Sequence, residues 1–207
     1  MIDLHTTPTA NGYKASIMLE EVGFAYRVHN YDLVKGENLK PDYLALNPVG
    51  RVPAIVDYDL SDGAPVSVYG TVAIALYLAD KSQRFMPATA AGRAKVYEWL
   101  GIVSSDIGPA YSGQFVFNLI APEKIPFAID FYNKLCARMV QTMELQLAKT
   151  TYLAGPDYTI ADVIAYPVPL MSMKRFPGSL DDYPNIARWA ELVGARPAVQ
   201  RGMKVPS

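Results

Sequence analysis

Two polar side chains stand where a short apolar run gives way to a helical pattern. The run Ile2–His5 predicts a strand, Asn11–Val22 predicts a helix, and residues 7–10 form the turn between them. A helix start presents free N–H groups and the positive end of the dipole, and Thr9 and Asn11 add side-chain donors. Such a corner stabilises an anion, for example a thiolate. The alternative is that Thr9 or Asn11 only caps the helix.

A second candidate is the run Asn47-Pro48-Val49-Gly50-Arg51-Val52-Pro53-Ala54-Ile55. A proline at the head of a buried-looking strand removes a donor from the ladder, and a cis Val52–Pro53 bond would explain its presence. We expect the Val52 N–H and C=O to point toward an open edge. A peptide ligand can pair with such an edge as an added strand.

Other kinds of chemistry find less support in the residues. The sequence contains no GxGxxG, GxxxxGK[ST] or GxSxG pattern. His5 and His29 have no cluster of ligands nearby, so we expect no metal site. Cys136 lies on an apolar helical stripe, which favours a buried, inert thiol over a nucleophile.

Composition sets the broad class of the protein. The 207 residues are 51% hydrophobic and 19% charged with a net charge of −1, which is typical of a globular chain. This balance argues against a function based on electrostatic binding to nucleic acid or to an anionic membrane. We find neither a signal peptide nor a run of the roughly 20 apolar residues that span a membrane, and we expect a cytoplasmic protein.

Periodicity divides the chain into two parts. Residues 1–80 follow the order β-α-β-(α)-β-β-α, with Gly23 as a helix cap and Asp62-Gly63 as a hairpin signal. A linker covers residues 81–91, and residues 92–207 carry helical stripes only. The prediction is therefore an α/β domain followed by an all-α domain. Within the second, Thr159 and Asp162 predict a capping box.

Together these segments resemble the glutathione transferase family. The resemblance rests on the Thr9/Asn11 corner, the Asn47–Pro53 run and the helix start after Tyr69, and it spans nearly the whole chain. Downstream segments match in order: Gly155–Asp162, Tyr183–Trp189 and Ala195–Val199. Pro8–Gly12, Lys35–Pro41 and Ala121–Ile129 most resemble the bacterial nu-class, which includes disulfide-bond reductases.

The resemblance implies a thioredoxin-like first domain, a helical-bundle second domain and a homodimer that uses glutathione as cosubstrate. The glutathione sulfur would point at Thr9 and Asn11, and its cysteinyl unit would pair with Val52. Asn38, Lys40 and Arg51 would lie near the glycyl carboxylate. The glutathione-binding set is then Asn38, Lys40, Arg51, Val52, Pro53, Gly70 and Thr71, with Thr71 holding the γ-glutamyl carboxylate.

Two positions depart from the family pattern. Gly70-Thr71 stands where related proteins carry Glu-Ser or Gln-Ser, and Phe131 stands where the nu-class commonly has an arginine before the tyrosine matched by Tyr132. One hydrogen bond to a charged group is worth roughly 1.5–3 kcal/mol. Each loss is therefore expected to weaken glutathione binding by about 10- to 100-fold.

Two functions follow from these observations. The first is glutathione conjugation or glutathione-dependent disulfide reduction, with the thiolate stabilised by Thr9 and Asn11. The second is a catalytically degenerate member of the family that serves as a structural or assembly subunit of another enzyme. The second substrate, a small electrophile or a disulfide, is expected near Tyr111, Phe115 and Phe117 between the domains. Those aromatic residues fit the core of a dimer interface equally well.

Overall fold

The chain folds as two units in the computed structural model, which describes residues 1–60, 63–173 and 182–206. The first unit contains Met1–Phe85 together with the chain from Gly194 onward, and the second contains Met86–Val193. Within the described residues, every helix is too short or too polar to span a bilayer.

A mixed four-stranded sheet forms the centre of the first unit. Its order is β2-β1-β3-β4, with β1 parallel to β2, and β3 antiparallel to both β1 and β4. The strands are β1 (Ile2–Thr6), β2 (Tyr26–Asn30), β3 (Ala54–Asp57) and β4 (Val66–Tyr69). This order and the helices around it are thioredoxin-like, as predicted. Asp62 of the expected hairpin lies outside the described residues.

The helices of this unit are α1 (Ala10–Val22), α2 (Pro41–Leu46), α3 (Thr71–Ser82) and α10 (Pro197–Gly202), with a 3₁₀ turn at Glu37–Leu39. The apolar stripe of α1 is buried, as its spacing predicts. The helix ends at Gly23, whose φ of 77° is left-handed and whose N–H donates to the Leu19 carbonyl. A residue with a side chain would adopt this conformation at a cost, so glycine terminates α1.

The last helix, α10, packs against α1 rather than with the other C-terminal helices. Ser16 Oγ donates to the Gly202 carbonyl at 2.7 Å, and a Cβ at Gly202 would lie 2.5 Å from Ile17 Cα. Arg196 forms a bidentate pair with Glu21 at 2.6 and 2.8 Å. The helical pattern of this segment predicts that it belongs to the helical domain, because no local pattern reveals a partner so far away in the chain.

The second unit is helical. Its helices are α4 (Ala90–Ile102), α5 (Gly108–Phe115), α6 (Pro126–Leu147), α7 (Ile160–Ala165), α8 (Pro167–Met173) and α9 (Pro184–Gly194), with π turns at Val103–Ile107 and Val116–Ile120. One helical stripe of this unit is buried, and it consists of Val96, Trp99, Leu100, Val103 and Ile107. An α/β unit and an all-α unit are thus both present, which confirms the predicted fold class.

A capping box starts α7, as the sequence predicts. The Asp162 carboxylate accepts from the Thr159 N–H at 3.0 Å, while the Thr159 hydroxyl accepts from the Ala161 N–H at 3.3 Å. The same carboxylate also accepts from the Leu153 N–H at 3.0 Å and from the Trp189 indole N–H at 2.9 Å. A buried charge is tolerated when it is hydrogen-bonded in this way, so Asp162 also orders the packing around α7.

Candidate functional site

Three segments that the sequence analysis singled out meet at one end of the sheet. His5 lies opposite Ala54 in the antiparallel β1–β3 pair, so the end of β1 lies beside the start of β3. Ala54 also lies opposite Tyr69 in the β3–β4 pair, which brings the end of β4 to the same place. The turn before α1, the Val52–Pro53 peptide and the start of α3 therefore lie at the same end of the sheet.

Thr9 is the N-cap of α1. Its backbone is extended, with φ −126° and ψ 163°, and its Oγ1 accepts from the Gly12 N–H at 3.1 Å. This confirms that Thr9 caps the helix. A hydroxyl has an O–H donor besides its lone pairs, so capping does not consume the donor that an anion would need. The capping role and the proposed role in binding an anion are compatible.

Gly12 allows α1 to begin close to the end of β1. A Cβ at this position would lie 2.1 Å from the Thr7 carbonyl oxygen and 2.6 Å from Thr6 Oγ1. No side chain fits in that space without moving the backbone. The positions of Thr9 and Asn11 at this corner therefore depend on a glycine that carries no chemistry of its own.

Lys14 is a residue of this corner that the sequence analysis missed. Its side chain is buried, with 3% of the residue exposed, and its Nζ donates to Asn11 Oδ1 at 2.9 Å. Burial away from water lowers the pKa of Lys14 to about 8. The sequence does hold a signal for the position of Lys14. Lys14 lies one turn after Asn11 and one turn before Met18 of the apolar stripe, so all three side chains are neighbours along the helix.

The Val52–Pro53 peptide bond is cis, as predicted, and Pro53 is buried. The loop before it is held by the Arg51 carbonyl, which accepts from the Tyr43 hydroxyl at 2.7 Å and from Asn47 Nδ2 at 2.5 Å. Across the described ranges of the chain, no hydrogen bond involves the Val52 N–H or C=O. The backbone of Val52 is thus open to a partner.

The three residues expected near a glycyl carboxylate differ in their surroundings. Asn38 donates from Nδ2 to the Gly50 carbonyl at 2.6 Å, so it shapes the loop. Lys40 is exposed, and its Nζ lies 3.9 Å from a Glu37 carboxylate oxygen. The Arg51 side chain is exposed, and none of the acids that the structure describes pairs with it. The two cations are available at the surface, whereas the Asn38 amide nitrogen is engaged and its buried amide oxygen has no hydrogen-bond partner among the described residues.

Gly70 is the N-cap of α3 and adopts φ 85° and ψ 131°. A Cβ there would meet nothing within 4 Å, so the backbone conformation, and not a lack of space, disfavours a side chain. Thr71 follows as the first residue of α3 and is half-buried. Its N–H is one of the unsatisfied groups of a helix start, where an anion is stabilised.

The aromatic residues expected near a second substrate lie in the second unit. Tyr111 of α5 is 7% exposed, and its buried hydroxyl has no hydrogen-bond partner among the described residues. Phe117 stacks on Tyr132 with ring centroids 5.3 Å apart. Phe115 is the last residue of α5 and is half-buried. Packing within this unit accounts for Phe117, and the substrate-binding role of all three remains a prediction.

One sequence-based expectation about the histidines is wrong. His5 and His29 do have a third potential ligand nearby: with Asp3 they form a group whose ligand atoms lie within 4.8 Å of one another. The cause is the parallel register, which sets His5 opposite His29 and stacks their rings at 4.6 Å. Both Asp3 oxygens already accept from Arg27, at 2.8 and 3.0 Å, and His5 Nδ1 lies 2.8 Å from the Tyr31 hydroxyl. These contacts occupy atoms that a metal ion would need.

Cys136 is buried in α6, with 3% of the residue exposed, and burial raises its pKa to about 12. A thiol that stays protonated at neutral pH is a poor nucleophile. The predicted burial of Cys136 is confirmed, and the inertness of its thiol stays a prediction.

The fold and the sheet end together define a class of protein: a thioredoxin-like unit with an open backbone edge beside a helix start, followed by a helical unit. Two family descriptions match the chain. "Glutathione S-transferase, N-terminal domain" matches residues 10–81, and "Glutathione S-transferase, C-terminal domain" matches residues 131–197. The chain belongs to the glutathione S-transferase family, as the resemblance implied.

Individual relatives agree with this assignment. Disulfide-bond oxidoreductase YfcG of Escherichia coli is 35% identical over 98% of this chain and 94% of its own length. A glutathione transferase from Burkholderia graminis, with two glutathione molecules bound per subunit, has a TM-score of 0.94 and 32% identity over 100% of this chain and 88% of that one. A glutathione transferase from Pseudomonas putida, with one glutathione disulfide bound per subunit, has a TM-score of 0.94 and 29% identity over 100% of this chain and 92% of that one.

Proposed function

We propose that this protein binds glutathione at the described end of the sheet and reduces disulfides with the thiolate of that glutathione. The observation that carries the proposal is the position of the Thr9/Asn11 corner at the same sheet end as the open backbone of Val52. The cysteinyl unit of the tripeptide would pair with Val52 as an added strand, with its sulfur at the corner. Arg51, Lys40 and the start of α3 at Thr71 would receive its two carboxylates.

The energetics of the corner fit this role. A free thiol has a pKa near 8.5, and each unit by which it is lowered corresponds to about 1.4 kcal/mol. A helix start supplies typically 0.3–1 kcal/mol and up to about 2. The dipole is therefore worth about one pKa unit, and the hydroxyl of Thr9 and the amide of Asn11 are suited to supply the rest as hydrogen-bond donors.

The reaction is a thiol–disulfide exchange on glutathione itself. The bound thiolate attacks one sulfur of the substrate disulfide, a new S–S bond forms, and the other sulfur leaves as a thiolate that takes a proton from water. A second glutathione thiolate then attacks the mixed disulfide, releasing the reduced product and leaving glutathione disulfide. The name of the relative YfcG and the glutathione disulfide held by the Pseudomonas putida structure support this direction. Conjugation to an electrophile would use the same thiolate.

Thr9 and Thr89 provide a matched pair of variants to test the site. Each caps a helix of 13 residues, and each accepts from a glycine N–H at 3.1 Å: Gly12 for Thr9 and Gly92 for Thr89. Replacing either by Ala should therefore cost a similar free energy of unfolding, about 1 kcal/mol. We expect Thr9→Ala to lower the rate of glutathione-dependent disulfide reduction at least tenfold and Thr89→Ala to leave it unchanged.

Asn11→Ala should likewise lower the rate of glutathione-dependent disulfide reduction by tenfold or more. Calorimetry with reduced glutathione and with glutathione disulfide then shows whether the variant still binds these ligands. Equal rates for Thr9→Ala and Thr89→Ala would remove Thr9 from the mechanism. An absence of binding heat at millimolar glutathione would remove the function altogether. It would favour a structural or assembly role, which Gly70 and Phe131 already support as departures from the family pattern.

A further inference from the structure

Lys14 carries a buried charge without a carboxylate partner. Its Nζ donates to Asn11 Oδ1 at 2.9 Å, and none of the acids in the described ranges forms an ion pair with it. Burying an ammonium group is strongly unfavourable unless an opposite charge or several hydrogen bonds compensate. One neutral amide oxygen is weak compensation. The fold therefore gives little reason to hold a lysine at this position.

Buried acids in the same unit are paired. Asp57 is fully buried and lies 2.6 Å from Lys81, and Glu21 is held by Arg196 at 2.6 Å. Asp3 accepts from Arg27 through both oxygens. Buried carboxylates here are thus stabilised by a cation, whereas Lys14 lies beside the corner where we place an anionic ligand. An anionic ligand at that corner would supply the missing opposite charge.

The hydrogen bond to Lys14 also decides which end of the Asn11 amide is available. An asparagine amide has an oxygen that accepts and an NH₂ group that donates. Asn11 is exposed, and its Oδ1 accepts from the Lys14 ammonium. The NH₂ group of the amide is therefore the end that can donate to a ligand. An ammonium donor also polarises the amide, which makes its N–H groups stronger donors.

We propose that Lys14 is a positioning residue that orients the Asn11 amide toward the glutathione sulfur and supplies the positive charge that balances the thiolate. The inference rests on the proposed function. The thiol proton goes to solvent, and Lys14 remains protonated while the thiolate is bound. A nearby thiolate favours the ammonium form of the lysine, as the ammonium favours the thiolate.

The test measures the pKa of the thiol of glutathione bound to the full-length protein, from the ultraviolet absorbance of the thiolate. Lys14→Met removes both charge and donor, Lys14→Gln removes the charge and keeps an N–H donor, and Lys14→Arg keeps both. We expect Lys14→Met to raise the thiol pKa by about one unit or more, Lys14→Gln to raise it less, and Lys14→Arg to stay close to the wild type. A lysine with only a structural role would not move this value.

A ligand control separates charge from packing. S-methylglutathione has no ionisable sulfur, so wild type and Lys14→Met should bind it with the same affinity. Reduced glutathione, measured at a pH above the pKa of its thiol, should bind Lys14→Met about tenfold more weakly than it binds the wild type. If Asn11→Ala raises the thiol pKa and neither Lys14→Met nor Lys14→Gln does, the role of Lys14 is overturned and the glutathione function stands. If wild type binds no glutathione, the function itself is overturned. If Lys14→Met does not fold, the comparison of the thiol pKa between Lys14→Gln and Lys14→Arg decides.

Discussion

At the scale of single residues, the site is built largely from backbone and from side chains that do not titrate near neutral pH. Thr9 and Asn11 offer a hydroxyl and an amide, and Val52 offers its peptide group. Gly12 contributes by having no side chain, because a Cβ would lie 2.1 Å from the Thr7 carbonyl oxygen. Lys14 is the charged side chain in contact with Asn11, and in our proposal it acts through that contact.

Gly70 allows a prediction at this scale. Gly70→Ala should lower the free energy of unfolding by about 1–3 kcal/mol, because a residue with a Cβ is strained at φ 85° and ψ 131°. Gly70→Glu should lose a similar amount and gain a carboxylate for the α-ammonium of glutathione. We expect Gly70→Glu to bind glutathione 10- to 100-fold more tightly than Gly70→Ala in calorimetry. Equal affinities of the two variants would show that no ligand ammonium lies at this position.

At the scale of secondary-structure elements, the register of the strands does most to assemble the site. The antiparallel pairing of β3 with β1 and β4 brings three loops to one end of the sheet. The parallel pairing of β1 with β2 creates the group formed by Asp3, His5 and His29. We expect that group to make the strand pair sensitive to acid.

Burial, the larger cause, and the neighbouring His29 together lower the pKa of His5 to about 4, while Asp3 opposes the change. A histidine in an unfolded chain titrates near 6.5, so between pH 6.5 and 4 the unfolded state binds more protons than the folded state. Stability from this group is therefore present above pH 6.5 and lost as the pH falls toward 4. Urea unfolding at a series of pH values should show this loss, and His5→Gln should reduce it. Parallel curves for the two proteins would contradict the assignment to His5.

The sequence predicts the elements well and their long-range contacts poorly. The spacing of the α1 stripe, Gly23 and the Thr159/Asp162 box are local signals, and each has the predicted structure. The packing of Gly202 on Ile17 depends on residues more than 180 positions apart, as the Ser16–Gly202 hydrogen bond shows. The burial of Lys14 was also missed, because a lysine in a helix normally belongs to its solvent face.

At the scale of the whole molecule, we propose a homodimer. A run of large apolar side chains is exposed along the second π turn and the start of α6. Phe127 is 80% exposed and Phe131 is 50% exposed, and their rings stack at 6.2 Å. Leu119 and Ile120 are 56% and 60% exposed. Exposed apolar side chains in such number are typical of an interface, and a second copy of the chain is the occupant that the family resemblance implies.

Sedimentation should show a dimer at micromolar concentration. Phe127→Asp should shift it to monomer, because burying a carboxylate in an apolar interface is costly. The matched control is Tyr97→Asp, a substitution of an aromatic residue that is 47% exposed on α4 and outside this surface. A wild-type protein that sediments as a monomer would contradict the proposal, and so would a Phe127→Asp variant that stays dimeric.

The burial of Cys136 has a practical consequence for work on this protein. It is the only sulfhydryl group in the chain, and burial raises its pKa to about 12, so we expect the thiol to stay protonated at neutral pH. Alkylating reagents such as iodoacetamide should therefore leave the folded protein intact while they trap free low-molecular-weight thiols. If the reaction is stopped with such a reagent, the number of turnovers can be determined from the low-molecular-weight thiols alone, because the protein contributes no reactive thiol.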